Sequence, residues 1–274
     1  KGYTPETVVF DLKTQFSTTC APDMFETNEL CYSPDNYDNV FRGPISLRDA
    51  LAQSVNIPAV KVLYLVGIKN ALAVAERLGI TTLEGNAAHY GLPLVLGGGE
   101  VTLLDMVGAY GSFANDGVRH PTVSILKLTD PKGTVLEEYK DSENPVLDPE
   151  VARTINSVLS DNTARAPAFG ESSSLYFPGY SVAAKTGTTN DYRDAWVLGY
   201  TPSIAMGAWA GNNDNTPMEK KVAGFIVAPL WHEVMQFALE RAATENKPFT
   251  PPAPKDISNC PPSLRGDWSS VGPH

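Results

Sequence analysis

The chain has 274 residues, enough for one large domain or two modest ones, and its 42% hydrophobic content is ordinary for a globular protein. Its formal charge of −10 argues against binding to nucleic acid or to an anionic membrane surface, because both carry negative charge. With four His, three Cys and no Cys-x-x-Cys pair, it contains no convincing metal site.

The first part of the chain predicts an irregular segment followed by helices. Residues 1–44 are rich in Thr, Pro, Asp and Asn and have little periodicity, which is typical of a long irregular connection. Ser46 and Asp49 resemble a capping box and predict the start of a short helix. Most later helices are predicted from a capping residue or a proline at their start. They cover about residues 58–66, 71–78, 103–115, 149–159 and 229–243.

Strands are predicted mainly in the second half. A β-hairpin is predicted around Asp130-Pro131-Lys132-Gly133, with strands at Ser124–Thr129 and Thr134–Tyr139. Three strand-like runs, separated by short polar or Pro-containing connections, predict an antiparallel meander: Ser181–Thr188, Ala195–Tyr200 and Ile204–Gly211. Helices followed by a sheet and a covering helix form an α+β pattern.

The strongest short signal is Lys185-Thr186-Gly187-Thr188-Thr189, within the first of those three strands. Gly187 removes a side chain where another backbone must approach closely. An exposed strand edge can add a substrate peptide as an extra strand, and two hydroxyls beside an ammonium suit a carboxylate. The pattern therefore predicts a peptide-binding strand edge, whereas the simpler interpretation is a strand with a surface lysine.

A second, weaker signal is Ser-x-Asn, which occurs at Ser54–Asn56, Ser142–Asn144 and Ser160–Asn162. Chance explains at least two of these matches. Only Ser54 and Asn56 are predicted to lie in a tight turn between two helices, where a hydroxyl and an amide can be held rigidly against a cleft. Ser160 is predicted to end a helix with no second helix after it.

Together these motifs resemble the serine penicillin-recognising enzymes, whose elements are Ser-x-x-Lys, Ser-x-Asn and Lys-Thr-Gly. The likeness is greatest to the transpeptidase domain of class A penicillin-binding proteins and covers about residues 1–243. It extends to the flanks of the motifs and follows the family order. The similar stretches are Gln53–Val60, Leu92–Thr102, Ala109–Gly117, Ala184–Thr189, Asp194–Trp196 and Gly199–Pro202.

The resemblance implies acyl transfer through a covalent serine ester without any cofactor. Ser54 would relay a proton to the leaving amine, with Lys185 keeping the relay poised, and Asn56 would bind an amide of the stem peptide. Thr186 and Thr188 would hold a terminal carboxylate on the Lys-Thr-Gly strand, at Gly187. The Thr188 backbone N–H would form half of the oxyanion hole.

The resemblance also implies a fold, partners and a location. The fold would be α+β and β-lactamase/transpeptidase-like, an antiparallel sheet flanked by helices with a helical subdomain, its N-terminal strands missing. Residues 1–243 would be the C-terminal part of the transpeptidase domain and residues 244–274 a Pro-rich tail. Its partners would be peptidoglycan stem peptides ending in D-Ala-D-Ala, β-lactams, and an upstream part of the same protein with a glycosyltransferase domain and a membrane anchor. The domain would face the cell wall at the extracytoplasmic face of the bacterial membrane.

This chain departs from the family pattern at the first motif. The nucleophilic serine with its lysine would lie upstream of Gly2-Tyr3-Thr4-Pro5, so we expect residues 1–274 to lack it. Ser124-Ile125-Leu126-Lys127 fits Ser-x-x-Lys, but it lies on a predicted strand that sends Ser124 and Lys127 to opposite faces. A serine on a helix is needed for such a pair to meet.

Other interpretations remain open at this stage. A serine β-lactamase shares the fold but needs a hydrolytic base, for which the sequence offers no confident candidate. A non-catalytic β-lactam sensor is the alternative among binding proteins. Cys20 and Cys31 form a plausible disulfide if the protein is exported, although three unrelated reduced cysteines, including Cys260, fit the sequence about equally well.

Overall fold

The computed structural model describes residues 2–21, 30–83, 87–218, 223–241 and 246–267. Two short 3-10 turns accompany the regular elements, at Leu92–Leu96 and Asn190–Tyr192. The helices are α1 (Leu47–Ala52), α2 (Asn56–Val66), α3 (Ile68–Leu78), α4 (Ala87–Tyr90), α5 (Leu103–Ala114), α6 (Pro149–Leu159), α7 (Asn162–Phe169), α8 (Ala223–Ile226), α9 (Ala228–Arg241) and α10 (Pro262–Arg265). The strands are β1 (Val8–Asp11), β2 (Gly43–Ser46), β3 (Val118–Arg119), β4 (Lys127–Thr129), β5 (Val135–Glu138), β6 (Asn144–Pro145), β7 (Ala183–Thr188), β8 (Asp194–Tyr200) and β9 (Ala205–Gly211).

Helix starts with a strong local cap agree with the sequence. The side chains of Ser46, Thr102 and Asp148 each accept a hydrogen bond from a backbone N–H in the first turn of α1, α5 and α6. Such a bond satisfies one of the N–H groups that a helix leaves unpaired at its start. These three predictions are confirmed.

Three predictions of local structure are wrong. Residues 1–44 are not wholly irregular, because β1 pairs antiparallel with β2 across about thirty intervening residues. Helix α2 begins at Asn56 and not at Pro58, so Asn56 belongs to its first turn. A helix does follow Ser160, since α7 begins at Asn162 with Asp161 as its cap.

The predicted meander is confirmed as a three-stranded antiparallel sheet in the order β7-β8-β9. Its two faces pack against different helices, because side chains alternate along a strand. Ala184 on β7 joins the cluster of Val197, Trp231 and Met235, which includes the buried face of α9. Ala183, one residue earlier, packs on the opposite side, with Tyr200 and residues of α5 and α6. The architecture is therefore α+β, as predicted.

Alternation along β7 separates the two kinds of motif side chain. Lys185 pairs with Leu198 and Gly187 with Trp196, on the face toward α5 and α6. Thr186 and Thr188 have the opposite parity and share the face toward α8 and α9. Among the described residues β7 has one strand neighbour, β8, so its other edge is unpaired.

The tail after α9 packs back on the body of the domain. Phe249 stacks edge-on against Tyr200, with ring centroids 5.5 Å apart. Near the end of the described tail, the carbonyl of Leu264 in α10 accepts hydrogen bonds from the hydroxyls of Thr4 and Thr7. The predicted boundary between residues 243 and 244, and the predicted helix end at Ala243, lie outside the described residues.

Two further features are a disulfide and the length of the helices. Cys20 and Cys31 form a disulfide with a Cα–Cα distance of 5.6 Å, which selects one of the two alternatives that the sequence leaves open. Within the ranges that the structure describes, no single helix is long and apolar enough to cross a bilayer. Helices α2 and α3 reach that length and composition only as a pair, bent by 95°.

Candidate active site

Two motifs far apart in the sequence meet in one contact. The Nζ atom of Lys185 on β7 donates a hydrogen bond to the Oγ atom of Ser54 at 2.6 Å. The same Nζ atom lies 2.8 Å from the carbonyl oxygen of Thr186. The predicted juxtaposition of Ser54 and Lys185 is therefore present in the structure.

Ser54 is held in an unusual backbone conformation at the corner between α1 and α2. Its φ of 60° lies in the left-handed region, which side chains other than Asn and Asp adopt rarely. The corner is closed by backbone hydrogen bonds from Ser54 to Leu51 and from Val55 to Ala50. Val55 is buried beneath it and packs with Ala50. This packing holds the backbone from which the Ser54 side chain projects.

Asn56 lies at the same corner and ties it to the segment before β2. Its Nδ2 donates to the carbonyl of Asp35 at 2.9 Å, and its backbone N–H donates to Oδ1 of Asn36 at 3.1 Å. Asn36 is buried and in turn donates to both carboxylate oxygens of Asp11. Since the Asn56 amide carries two hydrogens, one is left for a ligand.

Asn36 and Asp11 are supporting residues that the sequence does not reveal. They lie within the segment predicted to be irregular, and no motif there distinguishes one Asn or Asp from its neighbours. Asp11 is fully buried at the end of β1 and also accepts the backbone N–H of Arg42. Its partners become apparent only when β1 and β2 are paired.

The environment of Lys185 lowers the pKa of its ammonium group. Removal of its ammonium from water, with the positive charge of Arg165 adding to the effect, lowers the pKa of Lys185 to about 8. At neutral pH the ammonium therefore persists, but its proton is held less tightly than that of an exposed lysine. The Ser54 hydroxyl, 2.6 Å away, can accept that proton and can return it.

The two threonines of the motif differ in their surroundings. The Oγ1 atom of Thr188 accepts a hydrogen bond from the backbone N–H of Ala223 at 3.0 Å. A hydroxyl that accepts in this way still has its own hydrogen to donate. Thr186 is half-buried on the same face of β7. The Thr188 hydroxyl therefore still has a hydrogen available for an anion at the unpaired edge.

Gly187 is not required by packing inside the domain. A Cβ atom built there would lie 3.5 Å from Cβ of Trp196, an ordinary contact. The glycine thus leaves open space on the Lys185 face of β7. By contrast, a Cβ atom at Gly199 on β8 would lie 2.3 Å from the indole of Trp231, so that glycine is needed for the core.

The segment around Gly97 and a pair of aromatic rings complete the site. Gly97, with a φ of 98°, lies so close to Thr189 that a Cβ atom would come within 2.9 Å of the Thr189 methyl group. Tyr37, next to Asn36, meets Tyr192 after β7 edge-on, with centroids 6.0 Å apart. The ring pair therefore joins the Asn56 side of the site to the β7 side.

A cavity of about 570 Å³ adjoins the Ser54–Lys185 pair. Ser54, Asn56 and Lys185 contribute polar atoms to it, whereas most of its lining is apolar and comes from α1, α2 and α6. Among the residues that line it, Ser54 is the one serine. In the part of the chain that the structure describes, no group of three or more His, Cys, Asp or Glu side chains could hold a metal ion.

The remaining sequence matches lie elsewhere. The one Ser-x-x-Lys match includes Lys127, which is on β4 in a two-stranded ribbon and pairs with Glu138. The Ser142–Asn144 match is exposed. Ser160 does lie in a turn between helices, but its hydroxyl donates to the carbonyl of Asn156. These serines do not line the cavity beside Lys185.

Comparison with protein families gives one match over most of the chain. The model of the penicillin-binding protein transpeptidase domain matches residues 12–236. Penicillin-binding protein 1A of Aquifex aeolicus is 34% identical over 223 residues, which are 80% of this chain and 29% of that protein. Penicillin-binding protein 1C of Escherichia coli is 35% identical over 212 residues, 77% of this chain and 26% of that protein. The chain thus spans between a quarter and a third of these relatives.

Solved structures agree on the fold. Penicillin-binding protein 1A from Haemophilus influenzae matches with a TM-score of 0.75 and 22% identity, over 97% of this chain and 43% of that one. The PonA1 protein from Mycobacterium tuberculosis in complex with penicillin V matches with a TM-score of 0.75 and 21% identity, over 92% of this chain and 68% of that one. At this level of identity the likeness establishes the fold.

Proposed function

The chain belongs to the penicillin-binding protein transpeptidase family, and from this membership we propose that it supplies the proton relay and substrate-binding edge of a serine-type D-Ala-D-Ala transpeptidase. The observation that carries the proposal is the 2.6 Å hydrogen bond between Lys185 Nζ and Ser54 Oγ. It joins the two family motifs that this chain contains, beside a cavity of about 570 Å³.

The proposed reaction is acyl transfer in two steps. A serine hydroxyl attacks the carbonyl carbon between the two D-alanines, the C–N bond breaks, and an ester to the serine forms. The attacking hydroxyl gives its proton to the lysine of its own Ser-x-x-Lys motif, and the departing amine takes a proton from Ser54. Ser54 recovers a proton from Lys185, which is reprotonated from that motif lysine. An acceptor amine of a second stem peptide then attacks the ester, forms the cross-link and returns the serine hydroxyl.

The substrate would bind along the unpaired edge of β7. Its terminal carboxylate would accept the hydroxyl hydrogens of Thr186 and Thr188, and its reacting carbonyl would accept the backbone N–H of Thr188. The second hydrogen of the Asn56 amide would be donated to a backbone carbonyl of the stem peptide. The open space at Gly187 would let the substrate backbone lie against the strand. A β-lactam would occupy the same positions.

We further propose that the nucleophilic serine belongs to a segment outside residues 1–274. Among the serines of the described residues, Ser54 is the one that lines the cavity, and it is already the partner of Lys185. The apolar lining from α1, α2 and α6 would accept the apolar face of a helix, with the polar end at Ser54 receiving the serine.

The rest of the proposal concerns the setting of the domain. An upstream part of the same protein would carry that segment, a glycosyltransferase domain and a membrane anchor. The transpeptidase domain would lie on the extracytoplasmic side of the bacterial membrane. The Cys20–Cys31 disulfide supports an extracytoplasmic location, since disulfides persist in oxidising compartments.

Labelling with a fluorescent penicillin tests the proposal on the intact protein. We expect one covalent adduct, mapped by mass spectrometry to a serine outside residues 1–274, and release of D-alanine with formation of cross-links from stem peptides. An adduct on Ser124 would overturn the assignment of the nucleophile. Rapid hydrolysis of a chromogenic cephalosporin without cross-linking would instead indicate a β-lactamase. Stable labelling without either activity would indicate a sensor.

A further inference from the structure

Arg165 is a buried arginine of α7 that joins three segments behind the Lys-Thr-Gly strand. It is 3% exposed. Its Nη1 donates to the carbonyl of Leu159, at the end of α6, at 3.0 Å, and lies 3.5 Å from the carbonyl of Ala184. Its Nη2 donates to the carbonyl of Leu175 at 3.2 Å. Ala184 directly precedes Lys185, so Arg165 fixes the backbone from which the lysine projects.

The guanidinium has no carboxylate partner of its own among the described residues. Its acceptors are backbone carbonyls and the Asn162 amide oxygen, at 3.4 Å from Nη2, and its Nε is buried without a hydrogen-bond partner there. Asp161 attracts the guanidinium but forms its ion pair with Arg48, at 3.3 Å. A buried cation without a paired anion is costly, because its charge is not neutralised.

That cost has a visible consequence at the active site. Burial lowers the pKa of Arg165 to about 10, so the group remains charged at neutral pH. Loss of water is the larger cause of the lowered pKa of Lys185, and the positive charge of Arg165 is the second. Lys185 otherwise faces the neutral Ser54 hydroxyl and the Thr186 carbonyl. Asp161, which pairs with Arg48, is the carboxylate that acts on Arg165.

We propose that Arg165 is a positioning residue for the proposed reaction: its hydrogen bonds hold β7 at Ala184, and its unneutralised charge weakens the hold of Lys185 on the proton shared with Ser54. This inference rests on the proposed function for its meaning in catalysis. A purely structural role would need only the three carbonyl contacts, which a neutral donor could make. The charge acts through the lysine.

The chain offers variants that separate the charge from the contacts. Arg165→Lys keeps a cation in place, whereas Arg165→Met removes both charge and donors. Asn162→Asp leaves Arg165 in place and puts a carboxylate of the same shape beside Nη2. Lys127→Met removes one positive charge from the β4–β5 ribbon and controls for net charge.

The titration of Lys185 is measured in the intact protein by trace acetylation at a series of pH values, with mass spectrometry reporting the reactivity of each lysine. We expect Arg165→Met and Asn162→Asp each to raise the pKa of Lys185 by roughly one unit. Arg165→Lys and Lys127→Met should leave it close to the wild-type value. If Arg165→Met unfolds the domain, the titration of Lys185 in Asn162→Asp is the measurement that tests the proposal.

An unchanged Lys185 titration in Asn162→Asp, or a shift in Arg165→Lys as large as in Arg165→Met, would overturn the proposal. The same proteins are then assayed for the pH dependence of penicillin acylation, where the basic limb should move upward together with the Lys185 titration. Absence of acylation in the wild type would refute the proposed function. Acetylation does not require catalysis, so it would still decide whether Arg165 lowers the pKa of Lys185.

Discussion

The Nζ atom of Lys185 lies 2.6 Å from the Oγ atom of Ser54, although 131 positions separate the two residues in the chain. One comes from the edge strand of the sheet and the other from a strained corner between two helices. Each is fixed by packing on its own side, so the contact depends on how the helical part docks on the sheet. This docking is the structural basis of the predictions below.

Gly187→Ala should reduce penicillin acylation without loosening the fold. The added methyl group meets only an ordinary contact with Trp196 inside the domain, but it fills the space beside the strand edge. We expect the acylation rate constant to fall by about tenfold, because a methyl group forced into a filled space typically costs about 1–3 kcal/mol. Thermal unfolding should be almost unchanged.

Gly199→Ala is the matched control for that variant. Its methyl group would collide with Trp231, so the free energy of unfolding should fall by about 1–3 kcal/mol. Wild-type acylation by Gly187→Ala, or a loss of stability as large as in Gly199→Ala, would contradict a substrate-binding role for Gly187.

Thr188 should be tested by its two closest substitutions. Thr188→Val keeps the shape but loses the hydroxyl that accepts from Ala223 and is free to donate to a carboxylate. We expect acylation to fall by about 10- to 100-fold, the value of one hydrogen bond to a charged group. Thr188→Ser retains the hydroxyl and should retain most of the rate. A larger loss in Thr188→Ser than in Thr188→Val would indicate that the methyl group matters instead.

The pH dependence of acylation should reflect Lys185. Its pKa is lowered to about 8, mainly by loss of water around the ammonium. Because the protonated lysine would supply the proton of the proposed relay, the acylation rate constant should fall as pH rises through about 8. A rate that increases through that range would mean that the neutral lysine is the active form.

The same shift has a consequence for stability. The folded pKa lies below the unfolded value near 10.4, so the unfolded state binds more protons between the two values. The contribution of Lys185 to the free energy of unfolding should therefore rise with pH between about 8 and 10.4 and be constant below that window. Lys185→Met should abolish this part of the pH dependence, which denaturant titrations of both proteins can measure.

Tyr200→Phe should destabilise the domain from within. The buried Tyr200 hydroxyl donates to Oδ1 of the buried Asn156 at 2.7 Å, and Asn156 in turn donates to the carbonyl of Phe113. Removing the hydroxyl leaves a buried amide oxygen unpaired, at a cost of about 1–3 kcal/mol in the free energy of unfolding. The exposed Tyr176→Phe is the control and should be neutral; equal effects would show that the buried bond contributes nothing.

The sequence predicted features that depend on neighbouring residues better than features that depend on distant ones. The caps at Ser46, Thr102 and Asp148 are local, and their helices were found. Strands β1 and β2 were missed, because each has only four residues and β2 contains a Gly and a Pro, so they carry little pattern until they pair. Helix α7 was missed because it is short and contains Pro167.

The site shows the same division. Lys185 and its strand were found from a local motif, but Ser54 was distinguished from two other Ser-x-Asn matches only by its predicted corner and by family resemblance. Arg165 and Asn36 had no local signal at all. A buried guanidinium held by backbone carbonyls can be recognised only when α7 and β7 are brought together.

The central claim is that Ser54 and Lys185 act as one relay, and a double-mutant cycle on penicillin acylation of the intact protein tests it most directly. Ser54→Gly removes the hydroxyl while tolerating the left-handed φ, Lys185→Met removes the ammonium, and Ser160→Ala serves as an inert control. We predict that each single variant lowers the acylation rate constant by about 100-fold or more and that the double variant is hardly slower than either. Losses that multiply in the double variant, or single variants that acylate like wild type, would contradict the account.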